Sequence, residues 1–204
     1  NTFLMYVEVH SHLGDYEEVS RNIEKARTTL DKFGNLKGFQ TSHKRFWYLV
    51  IVSYAIVLKH DYSKSLKRKI ALKGLLELEE CEKNYALNIQ PKTVSLLLEL
   101  KGNCLMIIGE IGMAYELLMK AEKLSVETNM NEVDYHHLHK MLFICEKKLG
   151  FTQNLAERRD TFRNRKEKYT SVEQQMEDSL MREVEIAEIS LFVGDTAKVE
   201  EAVS

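Results

Sequence analysis

The sequence predicts an all-α fold assembled from antiparallel helix pairs stacked in chain order. Three observations carry this. Apolar residues recur at i, i+3, i+4 and i+7 over most of the chain, the period of an amphipathic helix. Proline occurs once and glycine nine times in 204 residues, so little interrupts long helices. Helix-stop signals fall at Gly14, His60, Gly109, Gly150 and Gly194, at roughly 45-residue intervals, as in an array of helical pairs.

Taken in order, residues 2–13 form an amphipathic helix that stops at Gly14-Asp15, where Asp15 supplies the N-cap of the next. Residues 16–33 carry Val19, Ile23, Ala26 and Leu30 in helical register. Gly34-Asn35 through Gly38 is turn chemistry. Residues 42–59 are rich in aromatic and β-branched side chains, yet too long for an ordinary strand, so they read as helix. His60-Asp61-Tyr62 repeats the earlier Gly-Asp-Tyr, and residues 62–83 follow as a helix. Asn84 to Pro91 is a linker, with the next helix starting near Lys92.

Leu98 to Leu124 is the clearest unit. Leu100, Leu105 and Ile108 mark one helix, and Gly109 closes it. Ala114, Leu117, Leu118, Ala121 and Leu124 mark its partner. Helix resumes near Glu132 with Leu138, Met141, Leu142 and Cys145 as the apolar stripe. Residues 152–168 read as a charged helix, 171–193 as another, and Val199, Ala202 and Val203 as the start of a last one after Gly194-Asp195. The whole, 1–204, is expected to be one domain of about five helix pairs, a piece of a longer protein.

Composition excludes several functions. With 44% hydrophobic and 29% charged residues the chain is globular, and a net charge of −2 implies no global attraction to nucleic acid or to a membrane. The longest apolar run, Phe46 to Leu58, falls short of the roughly 20 residues a spanning helix needs. Cys81, Cys104 and Cys145 are dispersed and odd in number. They are expected to be reduced thiols packed as small hydrophobes, in an intracellular, reducing compartment such as cytoplasm or nucleus. No phosphate-cradling loop, nucleophile elbow or Cys/His pairing is present, so no enzymatic activity and no cofactor is expected. His136 and His139 share a helix face, but a metal site needs three or four ligands, and none is expected here.

Gly102, Leu105, Gly109, Ala114, Leu118 and Ala121, with Phe3, Tyr6, Val7, His10, Gly14, Tyr16, Val19, Ile23 and Ala26, resemble the tetratricopeptide-repeat pattern in a long-unit form. Lys101 departs from it, where leucine is usual. The resemblance implies a right-handed superhelical array, a TPR-like α-solenoid, whose first helices line a concave groove. Counted by that pattern the lining is Leu4, Glu8, Trp47, Tyr54, Glu99, Asn103, Met106, Lys140, Ile144, Lys147, Lys148 and Glu188, with Trp47 and Tyr54 equally suited to the core. Family members that read a terminal carboxylate use a Lys/Asn clamp. Here only Asn103 matches, and Glu99 stands where the lysine belongs. The implied function is a scaffold or adaptor that holds an extended segment of another protein. The alternatives are a peptide sensor attached to an effector and a nucleic-acid-associated assembly subunit. Two basic clusters bear on the latter: Lys64, Lys67, Arg68, Lys69 and Lys73, and Arg158, Arg159, Arg163, Arg165, Lys166 and Lys168, which read as solvated faces or as docking points for an acidic segment. Apolar array ends leave pairing between copies open.

Overall fold

A computed structural model of the chain describes residues 2–33, 40–85, 90–127, 132–164 and 186–187. The described residues form eight helices and no strand: α1 (Thr2–Leu13), α2 (Tyr16–Phe33), α3 (Gln40–Val57), α4 (Lys64–Tyr85), α5 (Pro91–Ile108), α6 (Ile111–Glu127), α7 (Glu132–Leu149) and α8 (Thr152–Asn164). The fold is all-α. Most of 171–193, with Gly194 and the helix expected after it, lies outside the described residues. The chain divides into two compact units, residues 1–129 and 130–204.

Local chemistry sets the boundaries in the first unit. Gly14 takes φ 71°, in the left-handed region, and ends α1. Asp15 then accepts from the Glu18 amide through Oδ1 at 3.2 Å, and its carbonyl accepts from the Val19 amide at 3.0 Å, so α2 begins capped. Pro91 is the first residue of α5, where a missing N–H costs nothing. Gly109 ends that helix at φ 100°, its amide donating to the carbonyls of Leu105 and Met106. The α4 start differs from the reading of His60-Asp61-Tyr62 as a cap. The cap is Ser63, whose hydroxyl accepts from the Leu66 amide at 3.3 Å. The loop residues instead bind the preceding turn, with the Tyr62 hydroxyl donating to the Gly14 carbonyl at 2.6 Å and His60 Nε2 lying 3.0 Å from the Ser11 carbonyl.

Packing follows chain order. α1 lies against α2 and α3, α3 against α2, α4 and α5, α4 against α5, and α5 against α6. A continuous core of Val7, Val19, Ile23, Phe46, Val50, Tyr54, Ile70, Leu78, Leu97 and Cys104 runs through the first five helices. The α5–α6 hairpin is the closest pair. A methyl group placed on Gly102 would lie 2.7 Å from the buried Leu118 side chain, so only glycine allows this approach. The Ser95 hydroxyl crosses the same seam to donate to the Ala121 carbonyl at 3.0 Å.

In the second unit α7 packs on α8, and Gly150, at φ 76°, turns the chain between them. Phe143 and Leu155 form the apolar contact, with Ile144 against it. Among the described residues no helix is long and apolar enough to cross a membrane.

Candidate docking face

The first helices of the first unit, α1, α3 and α5, lie side by side through the α1–α3 and α3–α5 contacts. On α5, Glu99, Asn103 and Met106 are half-buried and spaced to share a face, with one Glu99 carboxylate oxygen buried. On α1, Glu8 is exposed, and the side chain of Leu4 lies outside the described residues. Lys140, Lys147 and Lys148 are exposed on α7, and Ile144 there is half-buried against the Phe143–Leu155 contact. The α7 residues belong to the second unit, and Glu188 lies outside the described residues.

Trp47 and Tyr54 are core residues, at 5% and 1% exposure. Of the two placements open for them in the sequence, lining or core, burial selects the core. Trp47 meets Phe46 edge-on with ring centroids 5.0 Å apart, and the Arg27 guanidinium sits 5.6 Å from the Trp47 ring centroid. Tyr54 closes over Gly74, where a methyl group would come within 3.1 Å of its ring. Burial raises the Tyr54 phenol far above its ordinary value, and the Glu77 carboxylate adds to the shift. The open stripe of α3 lies on another side: Arg45, Tyr48 and Val52 stand three and four residues apart, with Tyr48 at 50% exposure. The charge at the start of the apolar run was the signal for that register, since Arg45 shares a face with Tyr48.

Two buried carboxylates were not singled out in the sequence. Glu77 lies at 2% exposure on α4, where Arg27 of α2 pairs with it and also donates to Glu80 at 2.6 Å, and Lys73 approaches it at 3.2 Å. Burial works against the Arg27 charge, but Glu77 and Glu80 overcome it and raise the guanidinium pKa. Glu146 is fully buried on α7. Arg158 of α8 grips both of its oxygens at 2.9 and 2.8 Å and approaches His139 Nδ1 at 2.9 Å. Both glutamates stand on the buried stripes of their helices, at Ile70-Gly74-Glu77-Cys81 and Leu138-Leu142-Cys145-Glu146. A charge at a core position predicts a paired partner, and that pattern would have found them.

The basic clusters change meaning accordingly. Arg158 is a buried structural cation at 8% exposure, not part of a solvated face, while the side chains of Arg159 and of the residues beyond it lie outside the described set. Lys69 pairs with Glu17 at 3.6 Å and Lys73 with Glu77. His139 faces the Arg158 cation. Among the described residues no three histidine, cysteine or carboxylate side chains converge as a metal site. The three thiols are free and buried. Burial pushes Cys81 and Cys104 up to about 12 and Cys145 to about 11, so they stay protonated and unreactive near neutral pH.

What this arrangement offers is contact area. An exposed tyrosine and a half-buried methionine and amide stand on neighbouring helices, while the charges of Arg27, Glu77, Glu146 and Arg158 are paired within the fold. A scan against protein-family models finds none that matches the chain. A search of curated proteins likewise finds no matching relative.

Proposed function

We propose that the chain is a protein-interaction scaffold that holds an extended segment of a partner along the open stripes of its first helices. The wider proposal is a right-handed TPR-like array, with no catalytic role, acting inside the cell within a larger complex. The observation that supports this reading is the side-by-side placement of α3 and α5, with Tyr48 open on one and Glu99, Asn103 and Met106 half-open on the other. An extended peptide laid across stacked helices can place alternate side chains against Tyr48 and Met106, while Asn103 bonds its backbone. Two neighbouring stripes favour a segment over a small molecule, which needs a concave pocket enclosing most of its surface.

The test is capture from lysate followed by mapping. Wild type should retain a stoichiometric partner in 0.5 M salt, where screening reaches about 4 Å, and a synthetic peptide from that partner should bind alone. Tyr48→Asp with Asn103→Asp should abolish both, with helical content unchanged. A partner held equally well by that variant would end this reading of the face.

A further inference from the structure

We propose that a second docking surface, the groove between α2 and α4, takes an extended acidic segment of a partner protein. Helices α2 and α4 are the second members of their pairs. They are joined by side chains, with Glu17 to Lys69 at one end and Arg27 to Glu77 and Glu80 at the other. An open groove of about 750 Å³ follows one stripe of α2 from Glu17 to Lys32 and meets α4 at Lys73.

Cations outnumber carboxylates along it by four to two. Arg21, Lys25, Lys32 and Lys73 line it against Glu17 and Glu24. Of these, Arg21 is paired with Glu18, Lys73 with Glu77 and Glu17 with Lys69. Lys25 and Lys32 have no carboxylate partner among the described residues and are exposed. The Thr28 and Thr29 hydroxyls donate back to the carbonyls of Glu24 and Lys25 at 2.9 and 2.8 Å. The charged donors left without a carboxylate are therefore the two ammonium groups, which seek anions.

The helix that contributes Lys73 to the groove suggests what carries those anions. Leu72 and Leu76 of α4 are 49% and 63% exposed, and by helical spacing they share a face with Lys69 and Lys73. No aromatic side chain lines the groove, so it gives nucleic-acid bases nothing to stack on. Cations beside two open leucines match a protein segment in which acidic and apolar residues alternate. From Glu17 to Lys32 the groove runs about 22 Å at the helical rise, the reach of about seven extended residues. This surface is independent of the first-helix face, since its residues lie on other helices.

The test uses a fluorescein-labelled octapeptide of alternating glutamate and leucine, titrated with the whole chain at low salt and read by anisotropy. Saturable binding is expected, weakened roughly tenfold or more by Lys25→Glu with Lys32→Glu. Replacing the peptide glutamates by glutamine should abolish binding, and Leu72→Ala with Leu76→Ala should weaken it several-fold. Lys147→Glu with Lys148→Glu, an equal charge change elsewhere, should leave it as in wild type. The lysines are exposed, so the variants should keep wild-type helical content, which circular dichroism checks. Absence of saturable binding, equal loss in both lysine pairs, or displacement of the peptide by a single-stranded oligonucleotide at equimolar amounts would each overturn the proposal.

Discussion

Arg27 and Arg158 do the same chemistry in opposite settings. Each is an arginine on the second helix of a pair, and each neutralises a glutamate on a buried stripe. Arg158 reaches Glu146 across one hairpin, twelve residues away, with both oxygens gripped and both side chains nearly dry. Arg27 reaches Glu77 from fifty residues away, retains 19% exposure, and shares Glu77 with Lys73. The first arrangement locks a hairpin. The second ties one helix pair to the next and leaves an open groove beside the tie. Dry, bidentate pairs hold a hairpin as a unit, whereas shared, half-wet pairs set the spacing between units and keep surface available.

The largest expected effect comes from breaking the dry pair. Arg158→Met leaves Glu146 buried without its cation, which should cost the second unit about 3–5 kcal/mol. Hydrogen exchange across α7 and α8 should rise to the level of an unprotected chain. Arg158→Met with Glu146→Leu should recover most of the protection, because the burial cost of the charge goes with the charge. Unaltered exchange in the single variant would show that the pair does not hold the hairpin.

Sequence legibility divides along the same line. Helix existence was legible everywhere the structure describes it, because the 3.6-residue period and the stops at Gly14, Gly109 and Gly150 act locally. The α3 helix followed from its length despite strand-like composition. The face that α3 turns outward was not recovered. Counting by a repeat pattern left Trp47 and Tyr54 between groove lining and core, and burial at 5% and 1% exposure decides for the core. One residue of register moves a helical side chain by about a quarter turn or more, and only partners far along the chain decide it. The Arg27–Glu77 tie, spanning fifty residues, was out of reach for the same reason. The Glu146–Arg158 pair was nearer in sequence and was missed because Arg158 sits in a run of charges.

Breaking the half-wet tie should cost less. Arg27→Met removes one of two cations near Glu77, while Lys73 remains at 3.2 Å and solvent reaches the site. About 2 kcal/mol is expected for the first unit. The single tryptophan of the chain, Trp47, lies under Arg27 and reports the change directly. Urea titration followed by its fluorescence should shift to lower midpoint, and the groove probe should bind less well as α2 and α4 lose their spacing. A midpoint shift as large as that of Arg158→Met would erase the distinction between the two pairs.

Alkaline pH sharpens the comparison most gently. Around Glu77 the phenols of Tyr16 and Tyr54 are raised by burial first, and in Tyr16 a hydrogen bond from Ser20 partly opposes it. The thiols of Cys81 and Cys104 are raised to about 12 by burial, from an ordinary value of 9.0. All are neutral when protonated, so a raised folded pKa means the unfolded chain releases its protons first. The stability they contribute is complete below the unfolded values and is lost as pH rises toward the folded ones, from about 9 to about 12 for the thiols. In the second unit Cys145, at about 11, acts in the same direction but more weakly. From pH 8 to pH 9 the first unit should lose about 1 kcal/mol, read as a falling urea midpoint of Trp47 fluorescence that steepens above pH 9. Hydrogen exchange of α7 and α8, corrected for its intrinsic pH dependence, should change less over the same interval. A Trp47 midpoint flat to pH 11 would mean that these buried groups ionise alike in the folded and unfolded chain, and the core around Glu77 would then be wetter than its packing indicates.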